Sequence, residues 1–242
     1  MSNELETIQE SAKAVQEAAK TASNAIDAGR EVGGFISRFL SGPLEQGIGI
    51  IEDKLRYVRW ERQVRFIMRA EEFLKQQGLS RPSKTIPLKN AVPLLEYATL
   101  EEDDNLQDMW ARLLVNGTNE ATGINIERSF IEILGQISSL EAQILNAIYA
   151  LPFDETKHDG VYTENLPEFA SVAEETPEND LKEPSQEVQL ALANLARIGC
   201  LKLTLTWGGG EIFSRVNPTL IGKELVKACT FQNNEISQAV SN

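Results

Sequence analysis

Histidine and cysteine are almost missing from this chain, with one of the first and two of the second in 242 residues. Two cysteines, Cys200 and Cys229, cannot staple a disulfide scaffold. Lying near apolar positions, they read as buried thiols of a reducing compartment. They stand too far apart in sequence for a zinc-binding spacing. A Ser–His or Cys–His nucleophilic pair would have to use His158, which falls in an acidic, proline-containing stretch. Gly47-Ile48-Gly49 lacks the lysine and the preceding strand of a phosphate loop. The run Glu101, Glu102, Asp103, Asp104 has no calcium-loop spacing, and consecutive carboxylates on a helix point in different directions, so it reads as a helix N-terminus. The chain is therefore expected to be no enzyme and to carry no metal or cofactor.

Long hydrophobic runs are also missing. The most apolar window, Val32 to Ile51, is broken by Arg38, Pro43 and Glu45, whereas a spanning helix needs about 20 mostly apolar residues. The acidic N-terminal stretch has no compact apolar segment of a secretory leader. A cytoplasmic location follows as the expectation, at most peripheral at the inner face of the membrane.

Basic residues are in short supply: 23 Lys and Arg face 36 Asp and Glu, a formal charge of −13. The imbalance is local. Phe153 to Glu187 holds eleven acidic residues and two lysines, a net of −9, which leaves −4 for the other 207 residues. This sign disfavours nucleic acid as a partner, a local patch excepted.

What the chain does have is helical periodicity. Leu5, Ile8, Ala12, Val15, Ala19, Ala22, Ile26, Gly29, Gly33, Ile36 and Leu40 follow one another at alternating steps of three and four. A heptad seam sustained for about five heptads packs against another helix along its length. Its small middle lets a partner backbone come close. Ile8, Val15, Ala19, Ala22, Ile26, Gly29 and Gly33 are the candidate self-association residues, and the expected partner is a second copy of the chain or another protein.

The pattern divides the chain into a heptad-patterned amphipathic helix at 1–42, a helical body at 43–137, a winged-helix-like domain at 138–230 with an acidic loop at 153–187, and a polar tail at 231–242. Ser41-Gly42-Pro43 breaks the first helix. A second helix runs from Leu44 to Gln77 and stops at Gly78. Ser138 and Glu141 form a capping box for a helix carrying Ile144, Leu145 and Ile148. Past the acidic stretch, Val188 to Ile198 reads as a helix. Leu201, Leu203 and Leu205 alternate as a strand, Gly208-Gly209-Gly210 turns, a strand returns through Val216, and Thr219 to Cys229 closes as a helix. Helix, helix, hairpin, helix is the winged-helix order. The fold class is thus mostly α, with long N-terminal helices and one β-hairpin in the C-terminal domain.

Two surfaces invite a partner. The second helix is locally basic, with Lys54, Arg56, Arg59, Arg62 and Arg65 beside Tyr57 and Trp60, and could meet anions or a membrane surface. Its three-residue steps wind the arginines around the helix, and pairing with Glu71, Glu72 or the Glu101–Asp104 run is the plainer expectation. The helix before the hairpin would enter a DNA groove, but it offers Glu187, Gln189, Asn194 and a single cation, Arg197. The turn from Trp207 to Glu211 has none, so protein contact or scaffolding is expected over DNA reading.

Three stretches together resemble one bacterial family. They are Asp53-Lys54-Leu55-Arg56-Tyr57-Val58-Arg59-Trp60; Val92-Pro93-Leu94-Leu95-Glu96-Tyr97-Ala98 continuing through Glu102 to Leu114; and Phe130-Ile131-Glu132-Ile133-Leu134 leading to Ser138-Ser139-Leu140-Glu141. With Pro218-Thr219-Leu220-Ile221-Gly222-Lys223 they look like the abortive-infection alpha family, over roughly residues 40 to 230. The resemblance implies a role in phage exclusion, in which an infected cell blocks phage production or dies. It brings no catalytic or ligand-binding residues with it.

Overall fold

The computed structural model describes Gly34, Arg38, Phe39 and residues 60–173 and 181–230. The heptad seam up to Ile36, the helix break at 41–43 and the tail at 231–242 lie outside the described residues. The chain divides into two compact units, Met1–Leu100 and Glu101–Asn242. Among the described residues there are eight α-helices and four short strands, so the protein is mostly helical with one small antiparallel sheet.

In the first unit, α1 (Trp60–Gln76) and α2 (Leu88–Leu100) pack together. Phe66, Ala70, Phe73 and Leu74 recur at three- and four-residue steps and are all buried, the stripe that drives a helix onto its neighbour. Gly78 ends α1 at φ 72°. The Leu79 N–H donates to Leu74 O at 2.9 Å and the Gly78 N–H to Lys75 O at 2.9 Å, a two-bond closure that a residue with a Cβ adopts only at a cost. Helix α2 runs through Pro93 and buries Ala91, Leu94, Leu95 and Ala98.

In the second unit, α3 (Asp104–Gly117) is the core helix. Its Leu106, Met109, Trp110, Ala111, Leu113, Leu114 and Val115 are all buried, together with polar Gln107 and Asn116. Burying each large side chain contributes about 1.5–3 kcal/mol. Gly117 closes α3 where a Cβ would lie 2.1 Å from Ile126 Cγ1. Next come a 3-10 turn at Glu120–Thr122, α4 (Arg128–Leu134) and α5 (Ser139–Tyr149). The Ser138–Glu141 capping box is present, with the Ser138 N–H donating to Glu141 Oε2 at 2.6 Å and the Glu141 N–H to Ser138 Oγ at 3.3 Å.

The acidic stretch contributes structure of its own: α6 (Phe153–Asp159), β1 (Val161–Tyr162) and β2 (Ser171–Val172). Part of the segment expected as a loop is thus built into the sheet. Helix α7 (Gln186–Arg197), β3 (Leu201–Leu205), β4 (Glu211–Pro218) and α8 (Leu220–Cys229) follow. The sheet order is β2-β1-β4-β3 and each neighbouring pair is antiparallel. Leu201, Leu203 and Val216 take the inward register, with Lys202 opposite Asn217 on the other face. The β3–β4 register slips between Leu203 and Thr204, a bulge of the kind that bends a hairpin. Helix α8 packs on α3 and α5, and α7 on α5 and β3. No helix among the described residues is long and apolar enough to cross a membrane.

Candidate functional site

Of the basic residues expected on the second helix, Lys54, Arg56 and Arg59 lie outside the described residues, as do Ile8, Val15, Ala19, Ala22, Ile26, Gly29 and Gly33. Arg62 and Arg65 sit on α1, half-buried, and both are engaged by neighbours. Arg69 on the same helix pairs with Glu72 and lies 4.5 Å from the centre of the Phe73 ring. Glu71 accepts from Arg38 at 2.8 Å. The two acids expected to neutralise this helix are thus both paired. Val64, Arg65, Met68, Arg69, Glu72 and Lys75 line a shallow open groove along α1, in which Met68 is 64% exposed. The acidic run 101–104 caps: Asp103 Oδ1 accepts from the N–H groups of Asn105 and Leu106, both at 2.9 Å.

Both cysteines are held as thiols. Cys200 and Cys229 are buried, and burial pushes both thiols up from 9.0 to about 12. At neutral pH they are uncharged and poor nucleophiles. Tyr149, at the end of α5, is likewise raised to about 12, chiefly by burial. Its hydroxyl donates to Cys200 O at 2.5 Å and accepts the Thr219 N–H at 2.9 Å, tying α5 to the start of β3 and the cap of α8. His158 is exposed near the end of α6 and has no thiol or hydroxyl partner among the described residues. Among the described residues no three His, Cys, Asp or Glu converge as a metal-binding group.

A second polar cluster joins α5 to α7. Glu141 is only 6% exposed. Beyond its capping bond, its Oε1 accepts from Asn194 Nδ2 at 2.7 Å. Asn194 Oδ1 accepts from Arg197 Nη2 at 2.6 Å, and the same guanidinium reaches Gln136 Oε1 at 3.2 Å. The two residues that α7 could present to a DNA groove, Asn194 and Arg197, are thus engaged with the body of their own unit. Its most exposed apolar side chain is Leu190, beside Glu187.

Sequence reasoning passed over the residues of the sheet's outer face. Lys202 lies opposite Asn217, and Arg215 lies opposite Tyr162, all on the face away from buried Val161, Ser214, Val216 and Pro218. Asn217 Nδ2 donates to the carbonyls of Lys157 and His158 at 3.4 Å. The Arg215 stem runs past Gly160, where a Cβ would lie 3.0 Å from its Cγ. Trp207, at the tip of the same hairpin, is fully exposed. The only sequence signal was the alternation of β3 and β4, and the bulge between Leu203 and Thr204 hides which residues stand opposite one another.

A family model described as abortive infection alpha matches residues 61–229. No curated protein and no solved structure matches the chain significantly.

Proposed function

The chain belongs to the abortive infection alpha family, and from that membership we propose a phage-exclusion protein that works by contact with other chains, not by chemistry of its own. The observation that supports this reading is the state of Cys200, Cys229, Tyr149 and Glu141. Both thiols and the Tyr149 phenol are held protonated by burial, and Glu141 is spent on a cap and an inter-helix bond. The contact device is the heptad seam from Leu5 to Leu40, through which the protein self-associates in the cytoplasm.

We read residues 138–230 as a winged-helix arrangement. Support comes from α7 preceding the β3–β4 hairpin, from β1 joining that hairpin through β4, and from α8 closing the unit. Within it α7 would be the duplex reader. With Asn194 and Arg197 held internally and Glu187 facing out, a scaffolding or protein-contact role fits α7 better than duplex DNA.

The test is the mass of the full chain in solution by light scattering, beside a variant with Ile8, Val15 and Ile26 changed to Asp. The expected result is an oligomer that falls to lower mass in the variant. An unchanged mass overturns the self-association reading. A second reading, action at a membrane surface, draws on Met68 exposed between Arg65 and Arg69. Failure to co-sediment with anionic vesicles disposes of it.

A further inference from the structure

We propose that the outer face of the β-sheet, with the tip of its β3–β4 hairpin, is a binding surface for single-stranded nucleic acid. Lys202 and Arg215 take phosphates and Trp207 gives a base a stacking plane.

Seven of the nine lysines and arginines of the second unit are engaged. Arg112, Arg128, Lys157, Lys182 and Lys227 each have a carboxylate partner. Arg197 is held by Asn194 and Gln136, and Lys223 lies 4.6 Å from the centre of the Phe153 ring. That leaves Lys202 and Arg215, the two lysine or arginine side chains of this unit with no partner among the described residues.

Both stand on the same face of the sheet. Lys202 is opposite Asn217, and Arg215 is two residues along the same strand from Asn217, which makes the two cations diagonal neighbours about 7–8 Å apart at the backbone. The other outward positions of the ladder are Ser171, Tyr162, Asn217 and Thr204, none of them a carboxylate, and Glu211 stands opposite Leu205 at the hairpin end. In a chain of net charge −13, two unmatched cations side by side on the sheet are a local exception to the overall sign.

The second observation is Trp207. It protrudes at a turn closed by the Thr206 N–H to Gly210 O bond at 2.8 Å, so its backbone is held while its indole is wet. β3 ends at Leu205, so Trp207 stands two residues past the strand that carries Lys202. Cations in line with an exposed aromatic plane are the recognition pattern of single strands, whose bases are free to stack. Two phosphate contacts are too few to hold a duplex without base reading, and α7 has no free cation to supply it.

The experiment uses the full chain and a fluorescein-labelled oligothymidylate, followed by anisotropy across a salt series, with unlabelled duplex as competitor. The expected result is salt-dependent binding to the single strand that duplex displaces poorly. Lys202→Gln with Arg215→Gln should lower the log–log salt slope by about 1.4, two contacts at about 0.7 each. Trp207→Ala should weaken binding by about tenfold, the order of one stacked base. Lys202 and Trp207 are exposed and Arg215 is half-buried with its stem past Gly160, so a thermal melt of each variant checks that the fold is intact. Absence of binding at low salt overturns the proposal. Binding unaffected by all three substitutions, or displaced equally by duplex, also overturns it. The result is independent of the self-association reading, which the mass measurement tests separately.

Discussion

Tyr149 occupies the space that a side chain at position 222 would need. A Cβ on Gly222 would lie 2.0 Å from Tyr149 Oη and 2.6 Å from Cys200 O. The glycine lets α8 begin close against the end of α5, and the phenol then satisfies Cys200 O and the Thr219 N–H. Gly222→Ala should destabilise the protein by about 1–3 kcal/mol, the usual cost of overpacking. Tyr149→Phe leaves the Thr219 N–H unmet, while Cys200 O keeps the Thr219 hydroxyl at 3.0 Å, and should cost about 1–3 kcal/mol. Because the two changes meet at one oxygen, the double variant should lose less than the sum of the singles in chemical denaturation. Strict additivity would contradict this packing.

Asn116 ties the end of α8 to the core helix. Its side-chain amide donates to Ala228 O at 2.9 Å and Thr230 O at 2.8 Å, carbonyls with no onward helical partner. Asn116→Ala should cost about 1–3 kcal/mol and speed hydrogen exchange in the last turn of α8 before elsewhere. A loss below about 0.5 kcal/mol would show that water replaces the amide.

Alkaline pH should unfold the protein through its buried acids. Cys200, Cys229 and Tyr149 have pKa values raised from 9.0, 9.0 and 10.0 to about 12. The folded state therefore holds protons that the unfolded chain releases from about pH 9 upward. Their contribution is complete below that point and is lost as pH climbs towards 12. The melting temperature should be flat near neutrality and fall above pH 9, less steeply in Tyr149→Phe. Equal slopes for the two proteins would refute the linkage.

Local chemistry made much of the second unit legible. The Ser138–Glu141 box is written in adjacent residues, and Gly199 ends α7 at φ 84° as a glycine after an apolar run should. The Leu201, Leu203, Leu205 alternation gave β3. Two-residue strands have no period to read, so β1 and β2 were hidden. Only the approach of Val161 to both Val172 and Val216 places them in the sheet. Helix α2 begins at Leu88 and carries Pro93 inside, against the usual exclusion of proline from a helix interior, because packing of Leu94 and Leu95 outweighs one missing backbone donor. The pairing of Lys202 with Asn217 and of Arg215 with Tyr162 depends on a bulged, long-range register, and no linear reading brings them together.

The central claim is phage exclusion by contact, and a phage challenge tests it most directly. Bacteria expressing the full chain, the variant with Ile8, Val15 and Ile26 changed to Asp, or an empty vector are infected at high multiplicity, and plating efficiency and host survival are scored together. The account predicts fewer plaques with host death for the full chain, and behaviour like the empty vector for the seam variant. Equal protection by the seam variant, or none from the full chain against a broad phage panel, would contradict it.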